Sequence, residues 1–254
     1  MSRSNHNTTV QIFSDKNDLA REAAQLFSTL ALEAVAVRGR FSIALSGGST
    51  PQALFSLLAA PPYSTNLPWS SIHFFWGDER LVPPGDPGSN YYHAAQLLLD
   101  RVPIPLANIH RVKGELPAPE AVQDTIEQLY IYAQGECLWP RFDLVLLGMG
   151  SDGHTASLFP DSPGLEEPDV FVKSVTAVYE NRPALRLTLT PVLFNDARQI
   201  LFLVTGANKA EALAAVLYGP RDWGKWPAQR IQPNSGVVTW FVDQAAASNL
   251  AKRD

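Results

Sequence analysis

Cysteine is almost absent from this 254-residue chain. The one cysteine, Cys137, cannot form an intrachain disulfide, which fits a reducing compartment. It lies at the expected end of a helix, with no histidine close in sequence, and reads as structural rather than as a nucleophile. Long apolar runs are missing as well, so no membrane span is expected. Met1–His6 lacks the apolar stretch of a signal peptide, and a cytoplasmic protein is expected. Positive charge is scarce: 20 Lys and Arg stand against 25 Asp and Glu, a net charge of -5. That argues against a broad nucleic-acid surface, although a local basic cluster would still serve a small anion. The five histidines (His6, His73, His93, His110, His154) show no H-E-x-x-H or other metal-ligand spacing, and no G-x-S-x-G elbow occurs. A histidine–zinc enzyme and a serine hydrolase therefore find no support, and neither metal nor cofactor is expected.

What is present is an alternation of strand-like and helical segments. With 46% hydrophobic residues, the chain is long enough to bury a substantial core as one domain spanning residues 1–254. Ser14 or Asp15 starts a helix with Leu19, Ala23, Phe27, Leu30 and Ala34 on its apolar face. Strands are expected over 41–45, 72–76, 143–147, 199–204 and 237–242. Helices are expected over 51–58 with Ser49 or Thr50 as cap, 91–99, 120–134, 207–217 and 243–250. Near-continuous apolar strands between helices predict an α/β fold: three layers, with a mainly parallel, Rossmann-like sheet covered on both faces. Residues 170–175 and 185–190 read as a strand pair, hence a mixed sheet or a small strand-rich subdomain. Gly219–Pro233 reads as a surface loop.

Four turns carry candidate chemistry. Ser46-Gly47-Gly48-Ser49-Thr50-Pro51 lies between a strand and a helix. Its glycines free the backbone, its hydroxyls donate, and the helix N-terminus adds partial positive charge, which together suit a phosphate. The plain alternative is a tight turn with an ordinary cap. Gly77-Asp78-Glu79-Arg80 follows the strand ending at Trp76. Arg80 suits a bidentate anion contact, and Asp78 suits Arg80 or a sugar hydroxyl, unless the group is only a solvated charge cluster. Thr205-Gly206-Ala207-Asn208-Lys209 puts a lysine in the first turn of a helix, against the macrodipole. An anionic ligand would account for that, and so would simple solvent exposure.

The richest turn is Gly148-Met149-Gly150-Ser151-Asp152-Gly153-His154, after the central apolar strand. A histidine at such a place can move a proton near neutral pH. The turn formally matches G-x-G-x-x-G, but a dinucleotide site is disfavoured. The match comes late, Pro160 and Pro163 interrupt any following helix, and Glu166, Glu167 and Asp169 precede the next strand instead of ending it.

Together these blocks resemble the 6-phosphogluconolactonase family over nearly the whole chain. Ser46–Pro51 resembles its S-G-G-S-T-P loop. Asp78–Pro83 with Ser89-Asn90 resembles its D-E-R-x-V-P…S-N segment. Leu147–Pro160 resembles L-G-x-G-x-D-G-H-T-A-S-L-F-P, the most specific part, and Arg186–Thr190 and Leu203–Lys209 resemble later blocks. Glucosamine-6-phosphate deaminase is similar in fold and in the G-x-G-x-D-G-H turn, but its I-A-F-N-E-P continuation is replaced here by Thr155–Pro160, without the glutamate. The resemblance implies a glucosamine-6-phosphate deaminase-like fold. It implies hydrolysis of 6-phospho-D-glucono-1,5-lactone without a metal, on a small-molecule substrate, by a chain expected to be a monomer, with an oligomer as the alternative. His154 would be the general base and Asp152 would position its loop. Arg80, Lys209, Asp78 and the loop Ser46, Gly47, Gly48, Ser49, Thr50 would hold the substrate and its phosphate, with Arg80 facing either phosphate or lactone carbonyl. A deaminase/isomerase and a non-catalytic sugar-phosphate-binding regulator are the alternatives.

Overall fold

A computed structural model describes residues 8–134, 139–161, 170–177 and 183–250. Cys137, Pro163, Glu166, Glu167 and Asp169 lie outside the described residues.

The elements run β1 (Thr8–Phe13), α1 (Lys16–Arg38), β2 (Phe41–Leu45), α2 (Ser49–Leu58), α3 (Tyr63–Asn66), β3 (Ile72–Trp76), β4 (Asp78–Arg80), α4 (Asn90–Leu97), α5 (Ala118–Tyr132), β5 (Leu144–Leu147), β6 (Val172–Thr176), β7 (Leu185–Leu189), α6 (Pro191–Asp196), β8 (Gln199–Val204), α7 (Ala210–Tyr218) and β9 (Val237–Asp243). Six strands form a parallel sheet in the order β1-β9-β8-β5-β2-β3. β4, β7 and β6 form a separate antiparallel sheet. This is the three-layer α/β arrangement expected, with the strand pair built into a small second sheet.

Every residue of β2 and β5 is buried. A strand covered on both faces reads as an unbroken apolar run, which is why these segments were legible without alternation. β1, at the sheet edge, is mostly exposed, and periodicity misses it. Helix α1 begins where Asp15 accepts hydrogen bonds from the N–H groups of Asn17 (2.7 Å) and Asp18 (2.9 Å). Its Leu19, Ala23, Phe27 and Ala34 are buried, and full burial of a side chain like Leu19 or Phe27 contributes about 1.5–3 kcal/mol. Leu30, on the same face, packs against the core only partly buried.

The structure corrects several boundaries. Helix α2 starts at Ser49 with Gly48 (φ 103°) as its cap, so Ser49 and Thr50 belong to the first turn and neither caps it. Residues 243–250 form only a short 3₁₀ turn, Ala246–Asn249, not a helix. The turn expected at Gly77–Arg80 is a strand. Gly77 donates its N–H to Leu45 O (2.8 Å) and accepts from Leu189 N (2.8 Å), so the chain steps from one sheet directly into the other. Gly219–Pro233 is no detached loop: Ala228 N donates to Gly153 O (3.0 Å) and Gly224 O accepts from Asp161 N (3.0 Å).

From β2 the chain winds outward to β3; from β5 it winds the other way through β8 to β9. The reversal leaves a crevice at the carboxyl ends of β2, β5 and β8, where open α/β sheets bind ligands.

Candidate active site

A cavity of about 320 Å³ fills that crevice. Its walls include Ser46, Gly47, Gly48, Ser49, Thr50, Asp78, Arg80, His154 and Lys209, so nearly all of the residues singled out from sequence converge. Asp152 is the exception. It stands behind the wall and reaches the cavity through His154.

The turn after β5 pairs a histidine with an aspartate. His154 Nδ1 and Asp152 Oδ1 are 2.6 Å apart, and the same oxygen accepts from the His154 N–H at 3.1 Å. Burial pushes the Asp152 carboxyl up, but the hydrogen bonds and charge of His154 outweigh it and leave Asp152 below the usual carboxylate range. With Nδ1–H donated to a carboxylate, the imidazole lone pair sits on Nε2, and the carboxylate steadies the imidazolium once a proton arrives. Gly150 is required for the fit, because a Cβ there would collide with His154 Nδ1 and Asp152 Oδ1. The segment then folds back on itself. Thr155 Oγ1 donates to Gly148 O (2.8 Å), Leu158 N donates to Thr155 O (2.9 Å), and Ala156 takes a left-handed φ of 48°.

The second sheet supplies the positive charge. Arg80 is 6% exposed; its guanidinium donates to Gly88 O, while its Nε makes no hydrogen bond. Asp78 does not hold Arg80. Its Oδ2 accepts from Ser157 Oγ (2.8 Å), and Asn90 Nδ2 donates to its backbone carbonyl (2.9 Å). Lys209 ends the 3₁₀ turn Ala207–Lys209 and caps α7, so a cation does stand at a helix N-terminus facing the cavity. Two links tie the rims together: Thr50 Oγ1 to Thr205 Oγ1 (2.9 Å), and the Asp243 carboxylate to Gly206 N (3.0 Å).

Sequence reasoning passed over three site residues. Arg186 lines the cavity and lies opposite Arg80 in the β4–β7 register, putting two arginines side by side. Only the pairing of two distant strands reveals this. Asn90 lies under the first turn, where a Cβ on Gly47 would strike its Oδ1. Glu79 is almost fully buried and accepts from Arg80 N (2.7 Å), Asn90 N (2.7 Å), Tyr91 N (2.7 Å) and Ser89 Oγ (2.9 Å). Burial raises its carboxyl to about 7 against the pull of those four donors. It bolts β4 to the start of α4 and so sets Arg80 and Asn90 at the rim. The signal for it, an acid between two named site residues, was present in the sequence without a partner to give it meaning. Among the described residues, no three His, Cys, Asp or Glu side chains cluster as a metal site requires.

Two neighbouring sheets meet at a crevice lined by arginine, lysine, a glycine-rich turn and the histidine of a histidine–aspartate pair, the arrangement of an α/β enzyme. Comparison with known proteins narrows that class. The family described as "Glucosamine-6-phosphate isomerases/6-phosphogluconolactonase" matches residues 14–240, and the chain belongs to this family. It is 42% identical over 243 residues to a 6-phosphogluconolactonase of Synechocystis sp., covering 95% of this chain and 98% of that one. The 6-phosphogluconolactonase structure from Trypanosoma brucei superposes with a TM-score of 0.85 at 28% identity, covering 96% of this chain and 98% of that one. A monomeric glucosamine-6-phosphate deaminase shares the fold at 20% identity, with a TM-score of 0.80 over 95% of this chain and 99% of that one.

Proposed function

We infer that this chain hydrolyses 6-phospho-D-glucono-1,5-lactone to 6-phospho-D-gluconate, the lactonase step of the oxidative pentose phosphate pathway. Family membership and the identity to named 6-phosphogluconolactonases support the reaction. The observation that carries the mechanism is the His154–Asp152 hydrogen bond at the wall of a cation-lined cavity.

His154 Nε2 takes a proton from water as its oxygen attacks the lactone carbonyl carbon. The carbonyl electrons move onto oxygen, and positive charge from Arg186 at the cavity wall stabilises the oxyanion. Collapse restores the carbonyl and breaks the bond to the ring oxygen, which takes the proton back from the imidazolium and becomes the sugar hydroxyl. The carboxylic acid then ionises. Arg80, Lys209 and the Ser46–Thr50 turn hold the phosphate, and Asp78, fixed by Ser157 and Asn90, presents its free lone pairs to sugar hydroxyls. The cytoplasmic setting rests on the single cysteine.

The deaminase alternative is not favoured. Thr155–Pro160 holds no glutamate, and the likeness to the deaminase extends to fold alone. Following lactone loss by NMR against the spontaneous background tests the reading. Acceleration of the phosphorylated lactone is expected, with no ammonia from glucosamine 6-phosphate. Background-rate hydrolysis, or ammonia release, would overturn it.

A further inference from the structure

Gly47 and Gly48 stand side by side in the turn after β2, and the fold needs them for different reasons. Gly48 takes a φ of 103°, which favours glycine whatever lies nearby. Gly47 has no such φ. A Cβ on Gly47 would instead collide with Oδ1, Cγ and Nδ2 of a single side chain, that of Asn90. The Asn90 amide fills the volume that a side chain at position 47 would need. Asn90 is the first residue of α4, 3% exposed, and lines the cavity. Its Nδ2 donates to the Asp78 backbone carbonyl (2.9 Å), and its own N–H donates to the Glu79 carboxylate (2.7 Å). Its Oδ1, buried against Gly47, accepts no hydrogen bond. A buried amide oxygen without a donor is costly, so burial alone does not favour asparagine here.

We propose that Asn90 is a positioning residue: it sets the spacing between the anion turn after β2 and the Asp78–Arg80 strand, and position 47 is glycine in order to seat it. The inference rests on the reading that the Ser46–Thr50 turn holds the substrate's phosphate. The amide works as a spacer. Its oxygen end meets Gly47 on the rim of the first sheet, and its nitrogen end grips β4 in the second. Helices α2 and α4, which start at these two rims, pack against each other and hold the same spacing. A substrate with its phosphate at one rim and its hydroxyls at Asp78 spans that gap, so the width of the gap bears on binding. The His154–Asp152 pair stands on another turn, the one after β5. A change of spacing should therefore fall on KM and only slightly on kcat.

A double-mutant cycle between positions 47 and 90 tests the proposal. Gly47→Ala alone pushes the turn off the amide. It should raise KM for the phosphorylated lactone on the order of a hundredfold, with kcat within about threefold of wild type. Asn90→Ala loses one hydrogen bond and should raise KM about three- to tenfold. With the amide gone the new methyl has room, so the variant carrying both changes should match Asn90→Ala within about twofold. The Kd of inorganic phosphate, read from NMR titration of the turn's backbone amides, should follow the same pattern. Asn90→Ser, whose hydroxyl can turn away from Gly47, carries the cycle if the alanine variant does not fold. An equal penalty for Gly47→Ala with and without the amide would overturn the proposal, and so would a loss carried by kcat with KM unmoved. A wild type that binds phosphate but leaves the lactone at its background rate sinks the lactonase reading instead, with the cycle still read through Kd.

Discussion

Two histidine sites in the molecule, at His154 and at the His73–His110 pair, differ instructively. His154 hydrogen-bonds a carboxylate at a cavity wall. At the β3 edge of the sheet, His73 Nδ1 lies 3.1 Å from His110 Nε2, and the His110 ring stacks on Phe75 at 4.2 Å with planes 8° apart. Each pair has an aromatic ring over an imidazole and a hydrogen bond to a side chain. The chemistry parts at the partner. A carboxylate welcomes an imidazolium, whereas a second imidazole repels one. Burial, with the charge of His73, pushes His110 down to about 4; burial and then Arg40 lower His73. Burial and neighbouring positive charge disfavour an imidazolium at the second site. Stacking and hydrogen bonding do not by themselves make a histidine a base.

The largest expected effect tests this contrast directly. His154→Ala should lower kcat by roughly a hundred- to ten-thousand-fold, the usual loss with a general base. His110→Ala should leave kcat within about threefold. Steady-state rates on circular-dichroism-verified protein decide it, and comparable losses at both histidines would erase the distinction.

The cations come next. Arg80→Ala and Lys209→Ala should each raise KM for the phosphorylated lactone, lowering kcat/KM by about one to two decades, from roughly 1.5–3 kcal/mol of lost charged hydrogen bonding. An unphosphorylated lactone should suffer far less. Equal losses on both substrates would show that the cavity at His154 holds no phosphate.

A smaller effect sharpens the other half of the comparison. Because His110 stays neutral in the fold down to about pH 4, the unfolded chain alone takes up a proton as pH falls below about 6.5. Stability present above that range is therefore lost between about pH 6.5 and 4, by roughly 2 kcal/mol after allowance for partial solvent exposure. Glu79, raised to about 7, acts with the opposite sign over nearly the same window, since its native carboxyl holds a proton that the unfolded chain has released. The informative quantity is the difference in denaturant-melt stability between wild type and His110→Leu. Removing His110 should flatten the acid loss by that amount, and parallel curves would refute the neutral pair.

The smallest expected effect is none. Dialysis against EDTA should leave the rate unchanged, since the activation proposed runs through His154 and a lactone carbonyl is already electrophilic. Loss on chelation and recovery with a divalent ion would replace the mechanism.

Local chemistry alone determined much of this protein. The bounds of β2, β3 and β8 and the turns that follow β2, β5 and β8 come from apolar runs broken by glycine, because strand burial and turn geometry are written in neighbouring residues. The family resemblance added roles for His154, Asp152, Arg80 and Lys209. Tertiary structure alone decided the rest. Register between β4 and β7 set Arg186 beside Arg80, a reversed chain laid Phe159 on His154, and Glu79 found its four donors ten, eleven and twelve residues away as well as next door. β1 escaped notice because an exposed edge strand needs no apolar pattern, only a partner's hydrogen bonds. Periodicity reports what a segment buries; which distant segment it meets depends on the packing of the whole chain.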